Sequence, residues 1–145
     1  MYKNILLAVE LDTSTKFIEE KALTLKKLTD AKLTVIHVVA PLPAAYAIGE
    51  MGMAVNLQEA KNSLLEDAKG LLKPIADRLT IPMDQVLVIE GHESTEILTY
   101  AKENGVDLIV SGSHGKHGIQ LLLGSTANAI LHGSECDVLA VRLKR

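Results

Sequence analysis

Apolar and polar positions alternate along the chain in blocks that predict five short strands separated by helices. The apolar runs are Asn4–Val9, Lys32–Val39, Gln85–Ile89, Asp107–Ser111 and Asp137–Leu143. Continuous apolar runs are typical of strands that are covered on both faces. Strands that alternate with helical patterns indicate βαβ units and a parallel sheet. The expected fold class is therefore α/β, with helices on both faces of a five-stranded parallel sheet.

Between the first strands, apolar residues recur at helical spacing. Ile18, Ala22 and Leu25 predict one face of a first helix. A longer stripe follows at Leu57, Ala60, Leu64, Ala68, Leu71, Ile75 and Leu79. Pro74 interrupts this stripe and should kink or end the helix, because proline lacks the backbone N–H that a helix interior needs.

Two further helices and one irregular segment complete the pattern. Glu93–Asn104 predicts a third helix, closed by Gly105 where a left-handed cap is favoured. A fourth helix should begin near Ser125 and end around Gly133. The segment Pro41–Val55 mixes Pro, Ala, Gly and Met with weak periodicity. We expect it to be a connecting loop, with a lid or a partner surface as the alternatives.

Composition favours one globular domain over residues 1–145. A chain of 145 residues with 48% hydrophobic and 23% charged residues can bury a core and has no signature of disorder. Its single cysteine, Cys136, cannot form an intrachain disulfide. The N-terminus lacks a signal-peptide pattern, and no apolar stretch reaches the roughly 18 residues of a membrane span. We therefore expect a cytosolic protein that does not engage a membrane.

Charge and aromatic content argue against a nucleic-acid partner. The formal net charge is -3, and Lys and Arg are scattered along the chain. A nucleic-acid-binding surface normally needs clustered basic residues. Aromatic residues make up only 3% of the chain, and tryptophan is absent, so little is available for base stacking.

A glycine-rich connection after the fourth strand carries the candidate chemistry. Its sequence, GSHGKHGIQLLLGSTAN, places Gly112, Gly115 and Gly124 ahead of a helix that opens at Ser125 and Thr126. Glycines let successive backbone N–H groups converge on an anion. The helix N-terminus adds unpaired donors and a partial positive charge. The pattern predicts a phosphate-binding loop.

The charges around this loop support the same interpretation. No Asp or Glu occurs from Leu108 through Ser134, although the chain contains 18 of them. The potentially charged residues in that window are Lys and His, including His114, so the local field favours an anion. The alternative is that the glycines only turn the chain and that Ser125 is an ordinary N-cap.

The expected strand order, 3-2-1-4-5, places a crevice between the first and fourth strands. Ligands of open parallel sheets bind beyond the carboxyl ends of the strands, where the strand order reverses. Ala8, Val9 and Glu10 should then lie opposite the glycine loop. The end of the second strand, at Val38 and Val39, should offer backbone groups to a nucleotide base.

Four segments resemble the universal stress protein family, and together they cover most of the chain. They are YKNILLAVELD, AKLTVIHVVAP, DLIVSGSHGKHG and LLLGSTANAILHGSECDVLAVR. The G-x2-G-x9-G-[ST] pattern of nucleotide-binding members looks like Gly112, Gly115, Gly124 and Ser125. The spacer here has eight residues instead of nine, and Glu10 stands where many members have Asp.

The resemblance implies a Rossmann-like, adenine nucleotide alpha hydrolase-like fold and a role in stress survival. It also implies that the site residues hold ATP or a related adenine nucleotide, with Glu10 or Asp12 near a Mg²⁺ or the ribose. Hydrolysis is expected to be slow or absent, because the loop holds no carboxylate to orient water and no arginine to stabilise transferring charge. No catalytic residue is assigned.

A homodimer is the partner that the resemblance implies. Members of the family pair through the last strand, here Val138, Leu139, Ala140 and Val141. An exposed apolar edge strand also needs cover on physical grounds. A dimeric scaffold that binds no nucleotide and recruits partners through Pro41–Val55 is the alternative function. A metal site at His114 and His117 is disfavoured, because no third ligand lies near them in the sequence.

Overall fold

The computed structural model of the chain describes residues 1–12, 15–41, 57–113 and 123–142. In chain order the elements are β1 (Asn4–Ala8), α1 (Thr15–Thr29), β2 (Lys32–Val39), α2 (Leu57–Leu71), α3 (Lys73–Leu79), β3 (Val86–Glu90), α4 (Glu93–Glu103), β4 (Leu108–Gly112), α5 (Ser125–Gly133) and β5 (Asp137–Val141). A short 3-10 helix, Met83–Gln85, precedes β3. The sheet is parallel with the order β3-β2-β1-β4-β5, which confirms the predicted fold class and strand order.

Alternate residues of the central strand face two separate halves of the core. Ile5 and Leu7 of β1 pack on the side of α1 and α3, together with Ile18 and Ile75. Leu6 and Ala8 pack on the other side, against apolar residues of α4 and α5. Ile5, Leu6 and Leu7 are completely buried. The continuous apolar run of β1 is thus explained by helices on both faces of the sheet.

Pro74 interrupts the long helical stripe, as predicted. α2 ends at Leu71, and α3 carries the proline in its first positions, where a missing N–H costs little. The predicted stripe is wrong at three positions of α2, because Leu64 and Leu71 are 46% and 64% exposed and Ala60 is exposed too, whereas Ala68 is buried as predicted. Leu72, in the connection, is fully buried instead. Ala68, Leu72, Ile75 and Leu79 recur at helical spacing, so the buried face runs through the break by way of Leu72 and not Leu71.

The other helices agree closely with the predictions. Ile18 and Ala22 are buried on α1, and Leu25 packs against the same cluster. α4 ends one residue earlier than expected, and Gly105 adopts φ 64°, the left-handed conformation that was predicted for it. In the described part of the chain, no helix combines the length and the apolar content that crossing a membrane requires.

A partly buried ion pair joins α1 to α3. The Arg78 guanidinium donates to the Glu19 carboxylate from Nε at 2.7 Å and from Nη2 at 3.1 Å. The Glu19 side chain is only 6% exposed, whereas Arg78 is 48% exposed. These hydrogen bonds raise the pKa of Arg78 further above its ordinary value, so the guanidinium stays charged. Arg78 therefore supplies the hydrogen bonds that the Glu19 carboxylate cannot obtain from water.

Side-chain bonds fasten the amino end of the sheet. The Asp107 carboxylate accepts the backbone N–H groups of Lys3 at 2.8 Å and Asn4 at 3.1 Å. The Tyr2 hydroxyl donates to Asp137 Oδ2 at 2.7 Å. The start of β1 is therefore linked to the starts of both β4 and β5.

The hydrogen bond to Asp137 raises the pKa of the Tyr2 phenol above its ordinary value of 10.0, with further contributions from burial and from nearby acids. Because only the protonated phenol donates, its contribution to stability is complete below about pH 10 and is lost as the pH rises through the folded-state pKa. We expect Asp137→Asn to shift the tyrosinate absorbance titration toward lower pH. A Tyr2→Phe control identifies which part of the titration belongs to Tyr2. An unchanged midpoint in Asp137→Asn would contradict the role of the carboxylate.

Candidate functional site

The strand order of the sheet reverses between β1 and β4, and open parallel sheets have their ligand crevice beyond the carboxyl ends of the strands at such a point. The pairing between these two strands ends at Leu7 with Val110. β4, in contrast, stays paired with β5 as far as Gly112 with Val141. β2 and β4 lie on opposite sides of β1, so the strand order reverses here. The predicted reversal of strand order between β1 and β4 is confirmed, and Ala8 and Val9 at the end of β1 are buried.

Backbone hydrogen bonds hold the two ends of the glycine-rich connection together. The N–H of Ser113 donates to the carbonyl of Val141 at 2.8 Å. The N–H of Gly124 then donates to the carbonyl of Ser113 at 2.7 Å. Gly112 and Gly124 are therefore neighbours at this edge of the sheet. The other predicted loop residues, His114 and Gly115, lie outside the described residues, so their assignment stays a prediction.

The N-terminus of α5 opens directly from this closure. Gly124 is the N-cap residue in an extended conformation, and no side chain of the described residues caps the helix. The first intrahelical bond runs from Asn128 N–H to the Gly124 carbonyl at 2.9 Å. Ser125 is already helical, so it does not serve as the N-cap that the alternative reading assumed. The helix therefore presents its first-turn donors and its partial positive charge at the mouth of the crevice.

An acid that the sequence reasoning missed lies beside these donors. Thr126 Oγ1 is 3.5 Å from Glu93 Oε2, which is at the long limit for a hydrogen bond. Glu93 belongs to the first turn of α4, outside the acid-free window of the sequence. The stretch from Leu108 through Ser134 thus lacks acids in the sequence, but Glu93 brings a negative charge next to it in the fold. The order of the predicted elements could have indicated this contact, because α4 follows β3 and therefore begins at the same edge of the sheet as α5.

His37 fixes the end of β1. The Val9 N–H donates to the Ile36 carbonyl at 3.0 Å. His37 Nδ1 lies 2.9 Å from the Val9 carbonyl, and because a carbonyl only accepts, Nδ1 carries the proton. The backbone of Val9 is thus engaged on both its N–H and its carbonyl. Val9 can therefore line the crevice with its apolar side chain, but its backbone groups already have hydrogen-bond partners.

The backbone of Val38 faces the crevice side of β2. In a parallel ladder, successive residues direct their N–H and C=O groups to opposite neighbours. Ile36 bonds toward β1, whereas the Val39 carbonyl accepts from Gly91 beyond β3 at 2.9 Å. Val38 therefore points toward β1, past the last ladder bond, and no hydrogen bond to its backbone is found among the described residues. Of the two predicted valines, only Val38 has this orientation.

The acids after β1 contact the start of α1. The Thr15 hydroxyl lies within hydrogen-bond distance of the Glu10 carbonyl at 2.7 Å and the Asp12 carbonyl at 3.0 Å. Glu10 and Asp12 also line a groove of about 410 Å³, together with Lys16 and Arg78. This groove lies on the α1 and α3 side of the sheet. Whether either acid reaches a bound Mg²⁺ or ribose stays a prediction.

Two other predicted features lie away from the crevice or outside the described chain. Cys136 is half-buried, with its sulfur 3.3 Å from the Ser134 hydroxyl. His117, like His114, is outside the described residues. Within the described ranges, no three His, Cys, Asp or Glu side chains group as metal ligands would.

The Universal stress protein family model matches residues 1–142. Universal stress protein A homolog 2 of Coxiella burnetii is 48% identical over 144 residues, covering 99% of this chain and 97% of that protein. The structure of MJ0577, a universal stress protein of Methanocaldococcus jannaschii, superimposes with a TM-score of 0.77 at 27% identity, covering 100% and 99% of the two chains. A universal stress protein in complex with cAMP shares the fold, with a TM-score of 0.66, 19% identity and coverage of 99% and 98%. This chain belongs to the universal stress protein family.

Proposed function

We propose that this universal stress protein binds an adenine nucleotide, ATP or a close relative, in the crevice between β1 and β4, and acts as a homodimeric stress-response module in the cytosol. The observation that carries the proposal is the N-terminus of α5, which no side chain of the described residues caps and which the bond from Gly124 to Ser113 holds at the carboxyl end of β4. A helix N-terminus with open donors in such a crevice is suited to a phosphate group.

The opposite side of the crevice suits the base. Val38 offers one N–H and one C=O side by side, and the edge of an adenine ring carries an acceptor next to an amino donor. β2 and β4 are separated by β1, so these two groups are about 10 Å apart, two strand spacings. A nucleotide lying across the end of β1 would place its base and its phosphate at the two ends of that span.

Calorimetric titration with ATP, ADP, AMP and cAMP tests the proposal. The cyclic nucleotide is included because a protein of the same fold has been solved with it. Mass spectrometry of small molecules released from purified, denatured protein tests the same point without choosing a ligand. Saturable binding or a released adenine nucleotide supports the proposal. No binding at millimolar concentration and no released nucleotide would overturn it and would leave the ligand-free scaffold.

The dimer is proposed from the exposed edge of β5. This strand ends the sheet, and its Val138, Leu139 and Ala140 are only partly buried in the single chain. An apolar edge with open backbone groups is stabilised when a second strand pairs with it. Sedimentation equilibrium measures the mass directly, and a monomer at micromolar concentration would contradict this part of the proposal.

A further inference from the structure

We propose that Glu93 is a specificity-determining residue that makes the site discriminate against ligands with high phosphate charge. This inference rests on the proposed nucleotide function and adds a preference within it. Glu93 lies in the first turn of α4, and its carboxylate is 3.5 Å from the Thr126 hydroxyl in the first turn of α5. The acid therefore borders the donors that are proposed to hold the phosphate.

Position distinguishes Glu93 from the neighbouring acids at this edge. The Glu90 carboxylate is 3.5 Å from Lys61 Nζ. The Glu96 side chain folds against Gly91, where a Cβ would lie 2.7 Å from Glu96 Cγ. Glu93 forms no ion pair with any Lys, Arg or His of the described ranges, and its carboxylate is the one that reaches the Thr126 hydroxyl. An anion at the first turn of α5 would therefore meet the negative charge of Glu93.

The charge has opposite effects on the helix and on the ligand. A carboxylate near a helix N-terminus stabilises the helix dipole. A bound phosphate would compete for the same positive end and would be repelled by Glu93. Because Coulomb energy scales with the product of the charges, a triphosphate loses more than a monophosphate. Glu93 is therefore expected to shift the preference of the site away from nucleoside triphosphates and toward nucleoside monophosphates and cyclic nucleotides.

The test compares dissociation constants of Glu93→Gln and the unaltered protein for ATP and AMP, at low salt and without divalent metal. We expect Glu93→Gln to bind ATP about tenfold more tightly and AMP no more than about threefold more tightly. The ATP-to-AMP affinity ratio therefore moves, which a general change in stability would not produce. The gain should shrink as salt rises, because salt screens exposed charges.

Glu103→Gln serves as the control. It makes the same charge change at the exposed C-terminal end of α4, about 15 Å along the helix. The ATP-to-AMP ratio should stay constant in this variant.

The outcomes separate this inference from the proposed function. If the unaltered protein binds nucleotides and the ratio is the same in Glu93→Gln and Glu103→Gln, the role of Glu93 is refuted while the nucleotide function stands. The same holds if Glu93→Gln tightens both ligands equally. If neither protein binds any nucleotide, the proposed function itself fails and this inference fails with it. Melting curves confirm that each variant is folded before its affinity is compared.

Discussion

Val38→Pro is expected to weaken adenine nucleotide binding by about tenfold or more while the sheet stays folded. Proline removes the backbone N–H and places a ring carbon where that donor points. Because the Val38 N–H faces the open side of β2, past the last bond to β1, its loss breaks no ladder bond. A ligand acceptor left without its donor in a partly closed crevice costs about 1–3 kcal/mol, which gives the expected change.

Val38→Ala is the matched control for this effect. It keeps the N–H and removes most of the side chain, which packs against the α4 and α5 half of the core. Some loss of melting temperature is expected in both variants, but the loss of affinity should be confined to proline. Calorimetry of the two variants with the tightest-binding nucleotide makes the comparison. Equal affinities would show that the base does not bind along β2.

Arg78→Met is expected to destabilise the fold by about 2 kcal/mol. The substitution leaves the Glu19 carboxylate, which is only 6% exposed, without the two hydrogen bonds that it receives from the guanidinium. Breaking a fully buried pair costs about 3–5 kcal/mol, and the 48% exposure of Arg78 reduces the figure because water can enter. For a chain of this size the melting temperature should fall by roughly 4–8 °C.

The same helix offers a control for this prediction. Lys73→Met breaks the exposed pair of Lys73 with Asp77, one turn apart on α3, and should cost less than about 0.5 kcal/mol. The double variant Glu19→Met, Arg78→Met replaces both charges with apolar side chains and should recover most of the loss. Denaturant unfolding gives the three values. If Arg78→Met is no less stable than Lys73→Met, the buried pair does not hold α1 to α3.

Periodicity predicted most of the fold because the sheet is covered on both faces. The run that became β1 is almost entirely apolar, and β4 contains the buried run of Leu108, Ile109 and Val110, so their identity as strands did not depend on the placement of any one residue. The predicted strand ends differ from the observed ones by about one residue. β1, for example, was predicted to end at Val9 but ends at Ala8, and the Val9 carbonyl is hydrogen-bonded to the His37 side chain instead. The face of α2 was mispredicted because the buried stripe runs through Ala68 and Leu72, whereas Ala60 and Leu64 are exposed, and the spacing of apolar residues alone does not show which of them the sheet covers.

The candidate site was predictable where it depends on local chain order. Gly112 and Gly124 are brought together because the strand, the loop and the helix follow one another directly. Glu93 was not predictable from the loop, since it arrives through the packing of α4 against α5. The distinction between Val38 and Val39 also needed the structure, because only the register of β2 with its neighbours shows which backbone groups face the crevice.

The attachment of β1 to Asp107 has a consequence for how the chain assembles. The innermost strand obtains its second neighbour from residues more than 100 positions later, through the Lys3 and Asn4 bonds to Asp107 and the pairing with β4. Contacts of such large sequence separation slow folding, because a long loop must close first. A ribosome-bound chain that stops before Leu108 should therefore remain sensitive to protease in β1. Protection of that strand is expected only after β4 has emerged, and protease treatment of chains stalled before and after that point would measure it.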